Sequence, residues 1–97
     1  MMTKTQALLL LFMEECDEAS QRASKAIRFT TEEVQPGQDL TNSQRVVYEF
    51  NDIVAVMEEL HDEGVIDKIL DIDAIQKKRE KIIEWLEYSK KCGTVNF

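Results

Sequence analysis

Glu14-Glu15-Cys16-Asp17-Glu18 and Glu49-Phe50-Asn51-Asp52 each hold two carboxylates three residues apart. On a helix, Glu15 and Glu18 share one face, as do Glu49 and Asp52. A cationic stretch follows the first group, with Arg22, Lys25 and Arg28 in succession. Carboxylates gathered beside cations suit the holding of a hard divalent metal ion against a polyphosphate. Spacing alone does not select these residues, because 19 acidic side chains in 97 positions give about 4 such pairs by chance. Glu59/Asp62 and Glu84/Glu87 are pairs of that unremarked kind. Glu15/Glu18 and Glu49/Asp52 differ in bordering apolar stripes on two segments that a hairpin makes antiparallel neighbours.

Other side chains near these acids carry two readings each. Arg22 lies one turn beyond Glu18. It either forks onto phosphate oxygens or pairs with Glu18 at i,i+4. Lys25 continues that edge as a point charge. Arg28 and Arg45 are further phosphate candidates, Arg45 standing one turn before Glu49. Asn51 offers amide donors and acceptors to a base or sugar, or is a plain surface residue. Glu14 and Asp17 either support the acids from behind or face solvent. Phe12, Phe29 and Phe50 read as core rather than as base-stacking groups. His61 has no companion at metal-ligand spacing. Cys16 has no paired histidine and reads as a packing residue rather than a nucleophile.

Three helices are expected to position these residues. The first covers about residues 5–29, with Leu8, Leu11, Phe12, Ala19 and Ala26 at three- and four-residue spacing. Leu9, Leu10 and Met13 widen its apolar surface, as in a bundle or an oligomer. Residues 30–40 read as a loop around Pro36-Gly37, longer than a plain helical hairpin needs. The second helix begins at Thr41, where Thr41 and Gln44 form a capping box. Its stripe is Val46, Phe50, Ile53, Val54, Met57 and Leu60, and Gly64 stops it. Residues 65–70 are expected to form a short helical turn. The third helix runs over residues 72–92, with Gly93 beyond it. Its charges are mixed as on a solvated surface, and Trp85 is expected to anchor it to the bundle or to a partner subunit.

Composition bounds the answer further. A chain of 97 residues is expected to be one domain, 1–97, with a modest core that oligomerisation would supplement. Three glycines and one proline leave little turn chemistry for a many-stranded sheet, so the expected class is all-α. A net charge of −7 argues against general nucleic-acid binding. A small nucleotide stays compatible if metal ions neutralise the local acids. Two cysteines without a CxxC motif fit a reducing cytoplasm. The apolar run at residues 7–13 meets Glu14 and Glu15 with no cleavage site and is too short to span a membrane, so no membrane partner is expected.

The pair Glu14-Glu15-x-x-Glu18 and Glu49-x-x-Asp52 resembles the MazG-like all-α nucleoside triphosphate pyrophosphohydrolases. Residues 11–60, including Gln21–Phe29 and Leu40–Arg45, look like the small phage and prophage members. The separation of the two signatures is at the long end for that family, and the third helix carries none of its motifs. The resemblance implies that Glu15, Glu18, Glu49 and Asp52 ligate Mg²⁺, or Mn²⁺ in its place. It implies an activated water that cleaves NTPs or dNTPs between the α- and β-phosphates, giving a nucleoside monophosphate and pyrophosphate. It also implies a homodimer or homotetramer of antiparallel hairpins packed as a four-helix bundle. A reading of another class stands beside it. An acidic helical bundle can be a non-catalytic adaptor or an antagonist of a basic partner, with the four acids solvated or partner-facing. Convergence of the acids beside an apolar-rimmed pocket, with Arg22 or Lys25 at its edge, separates the two.

Overall fold

A computed structural model describes residues 1–97 and contains three α-helices and no strand. Helix α1 spans Lys4–Phe29, α2 spans Asn42–Asp62 and α3 spans Ile72–Cys92. Each begins where a side chain satisfies the free N–H groups of the first turn. At α1, Thr3 Oγ1 accepts from the Gln6 N–H at 3.1 Å, and Gln6 Oε1 accepts from the Thr3 N–H at 2.9 Å. This capping box was not among the sequence expectations. The expected box at Thr41 and Gln44 is present, with Thr41 as the cap and the helix proper starting at Asn42. Asp71 caps α3 by accepting from the Ala74 N–H. Gly64 and Gly93 sit just past α2 and α3 with φ of 72° and 75°, a region that glycine enters without a Cβ clash. Residues 65–70 are irregular, not the expected helical turn.

Helices α1 and α2 form an antiparallel hairpin. Lys4 at the start of α1 pairs with Glu63 at the end of α2, and Arg22 meets Glu49 near the middle. Leu8 and Leu60 are the buried apolar residues of the seam. Phe12, Ala19 and Ala26 of α1 and Val46, Ile53 and Met57 of α2 are half-buried along it. Two residues expected in the stripes are instead turned outward. Leu11 is 46 % exposed and Phe50 54 % exposed. A two-helix seam is narrower than the apolar arc of either helix, so the flanks of each stripe stay in solvent.

The loop between the helices is tied down at its ends. Asn42 is buried, and its Nδ2 donates to the Thr30 carbonyl at 2.8 Å and to Glu33 Oε1 at 3.1 Å. The Asn42 and Ser43 N–H groups donate to the carbonyls of Glu33 and Thr31. Thr30 has a φ of 75°, costly for a β-branched residue, and the Asn42 amide holds it there.

Helix α3 packs against neither α1 nor α2. Only three residues of the chain are buried, Leu8, Asn42 and Leu60. The radius of gyration is 16.8 Å, against about 13 Å for a compact chain of this length. Trp85 makes an edge-on contact with Tyr88 of its own helix, with ring centroids 5.8 Å apart, and anchors α3 to nothing else in the chain.

Candidate metal centre

The antiparallel seam brings Glu15, Glu18 and Glu49 together. One carboxylate oxygen from each lies within 4.8 Å of the others. Glu15 and Glu18 are a turn apart on α1, and Glu49 faces them from α2, so the cluster requires the hairpin and neither helix alone supplies it. Glu15 and Glu49 are half-buried and Glu18 is exposed. Asp52 lies outside the oxygen cluster and is exposed. Its charge still reaches the site, raising the proton affinity of both Glu15 and Glu49.

The electrostatics are those of acids crowded together without enough cation. Partial burial, first, and repulsion from Glu18, Asp52 and Glu49 hold the Glu15 carboxyl above the ordinary carboxylate range. Partial burial followed by Glu18 and Asp52 does the same to Glu49, while Arg22 pulls it back down. Arg22 Nε is 4.0 Å from Glu49 Oε1. Thus the arginine leans across to α2 and forms no ion pair with Glu18. That contact is too long for a hydrogen bond. Glu15 Oε2, Glu49 Oε2 and Arg22 Nε and Nη1 are all buried without a hydrogen-bond partner. Four such atoms in one small region are unusual for a settled core.

The remaining candidates spread around this centre. Lys25 is half-buried one turn past Arg22 and forms no ion pair. Arg28 lies over the Phe29 ring at 5.0 Å. Arg45 Nη1 donates to Gln35 Oε1 at 3.1 Å, which turns it to the loop. Asn51 is exposed and about 200° around α2 from Glu49, so it does not join the acids within one copy. Glu14 and Asp17 are exposed. Asn42 escaped the sequence reading, although Thr-Asn-Ser at a helix start is a polar run that invites the question of where each side chain bonds. No cavity encloses the acids, although Glu15 Oε2 and Glu49 Oε2 are shielded from solvent. A shallow concavity on α3 is lined by Glu84, Trp85 and Tyr88. No family model matches the chain, and neither a curated protein nor a solved structure gives a match.

Proposed function

We propose that the chain is a Mg²⁺-dependent nucleoside triphosphate pyrophosphohydrolase, with Mn²⁺ as an alternative ion. The observation that carries this reading is the convergence of Glu15, Glu18 and Glu49 from two helices within 4.8 Å. An all-oxygen donor set of this kind fits a hard cation, and the unpartnered Oε2 atoms of Glu15 and Glu49 are where such an ion would find its ligands. Asp52, one turn from Glu49, would complete the set by a modest rotamer change or through a water. The bound ion would neutralise the acids and polarise a phosphoryl oxygen.

The chain's own groups account for the rest of the chemistry. Arg22 presents two unpartnered guanidinium nitrogens beside the acids, free to donate to phosphate oxygens as a fork. Lys25 extends that positive edge. A glutamate whose proton affinity is raised by its neighbours is suited to take the proton of an attacking water. The water oxygen bonds to the α-phosphorus, the bond from that phosphorus to the α,β-bridging oxygen breaks, and pyrophosphate leaves with the electron pair. Asn51 faces away from these acids, so a base or sugar contact from it would come from another copy. The four-helix-bundle homodimer or homotetramer belongs to this reading, since apposed hairpins would enclose acids that one copy leaves open.

The test is release of pyrophosphate and monophosphate from a panel of NTPs and dNTPs with Mg²⁺. Turnover is expected to fall at least about 100-fold in Glu49→Gln. Equal release by the variant removes the assignment. The adaptor reading has its own supporting observation, the unpartnered helix α3. Absence of turnover with every nucleotide, together with capture of a basic partner by the acidic face, would favour it.

A further inference from the structure

Helix α3 and the hairpin each expose an apolar strip, and their charges are opposite. Residues 1–71 carry six basic and fifteen acidic side chains, a net of −9, whereas residues 72–97 carry six basic and four acidic, a net of +2. On α3, Ile72, Ile75, Ile82 and Leu86 are all exposed and follow the alternating three- and four-residue step of a docking seam. Arg79 occupies the seam position between Ile75 and Ile82. On the hairpin, helical phase puts Leu9 and Met13 of α1 and Val47 and Phe50 of α2 on the face turned away from the acid cluster. These four are 43 %, 61 %, 57 % and 54 % exposed. Asp17 and Glu58 stand at the outer rims of that face by the same phase.

We infer that α3 of one copy docks on the Leu9/Met13/Val47/Phe50 face of a second copy, reciprocally, so that two chains exchange third helices. The occupant follows from three features. The chain's own α3 stands off its own hairpin, leaving both strips open at once. A two-fold exchange covers both strips twice with one kind of contact and closes on itself. A stable dimer needs about 800 Å² per partner, and the reciprocal exchange supplies two helix contacts toward it where a one-way docking supplies one. Arg79 selects the hairpin over a second α3. In-register pairing of two α3 helices sets Arg79 against Arg79 in either direction, whereas the hairpin offers Asp17 and Glu58 as carboxylate partners. The inference is independent of the nucleotide chemistry, and its test involves no nucleotide.

The test uses the full chain. Sedimentation is expected to give a dimer at about 100 μM. A mixture of isotopically heavy and light chains, treated with a zero-length carboxyl–amine cross-linker, is expected to yield heavy–light links from Lys78, which flanks the α3 seam by helical phase, to Asp17 or Glu58. Arg79→Glu is expected to weaken the dimer at least about tenfold, and Leu86→Asp to abolish it. Circular dichroism of each variant at the same concentration is expected to show helix lost together with the dimer. Arg79→Lys should retain most of the affinity. A monomer at that concentration overturns the inference, as does a dimer indifferent to Arg79→Glu. So does a dimer whose α3 links are confined to the same chain or to another α3. Hairpin-to-hairpin links with α3 left unlinked also overturn it.

Discussion

Glu15 and Glu49 favour protonation more in the folded chain than in the unfolded one, because burial and neighbouring carboxylates oppose their charge. The folded state therefore binds more protons through this window, and stability falls as pH rises. Below the ordinary carboxyl value of 4.5 the two groups cost nothing. Above their raised folded values the cost is complete. In chelator near neutral pH, Glu15→Gln is thus expected to melt higher than the parent chain, and the gap should close on acidification to below the ordinary carboxyl value of 4.5. With Mg²⁺ present the order should invert, since the amide is a poorer ligand than the carboxylate. Thermal melts in the two buffers check both parts, and a Glu15→Gln chain that melts lower in chelator would contradict the crowding. Arg22 gives a second expectation at this scale. Its unpartnered nitrogens make no hydrogen bond within the chain and only a 4.0 Å ion pair with Glu49, so in the proposed reaction Arg22→Ala should act on substrate. The loss of a charged hydrogen bond corresponds to about a 10- to 150-fold rise in KM. A KM unchanged by Arg22→Ala would place the phosphates elsewhere.

The elements depend on their ends as much as on their stripes. Asn42→Ala removes two hydrogen bonds, to the Thr30 carbonyl and to Glu33, and leaves the Thr30 carbonyl without that donor. The expected cost is about 1–3 kcal/mol in urea unfolding. Amides of residues 30–41 should lose protection from hydrogen exchange ahead of those in mid-α1. Thr41→Ala, which removes only a cap, should cost about 1 kcal/mol without freeing the loop. If Asn42→Ala unfolds at the parent's midpoint, the amide is not what holds the loop. These ends also mark how far sequence could be read. The helices are legible because apolar residues recur at helical period between strong caps and glycines, and α3 is placed to the residue. Glu15, Glu18 and Glu49 are legible because i,i+3 spacing fixes a common face before any packing is known. The outward turn of Leu11 and Phe50 is not, since stripe width says nothing of how many neighbours will cover it. Asp52 is left at the edge for a related reason. A three-residue step is 300°, so the second acid of a pair is offset from the first, and inter-helix phase decides whether both reach inward. Asn42 was missed because asparagine at a helix start reads as local capping, whereas its bonds run to residues nine and twelve positions back.

At the scale of the whole molecule, two buried leucines and one buried asparagine are too small a core for a chain of 97 residues. Ordering a residue costs about 1–2 kcal/mol in backbone entropy, and burial must offset most of that. The exposed strips on α1, α2 and α3 are the apolar area still available to do so, and the inferred helix exchange would bury them between copies. Folding and association should therefore be one transition, with unfolding yielding separated chains. Each tenfold rise in concentration then adds about 1.4 kcal/mol per dimer. Divided by the unfolding entropy of two such chains, about 0.4 kcal/mol per degree, this raises Tm by about 3 °C. Melts over a hundredfold range of concentration should span about 6 °C. A monomer that folds on its own would melt at one temperature throughout. The charge distribution sets a second axis for the same measurement. Self-repulsion of a chain at −7 is relieved by salt, whereas attraction between residues 1–71 at −9 and residues 72–97 at +2 is weakened by it. If exchanged helices hold the dimer, salt should lower the dimer's affinity. The concentration dependence of Tm should therefore shift to higher protein concentration as salt is added. Association through the apolar hairpin faces alone would be strengthened by salt, and the shift would run the other way.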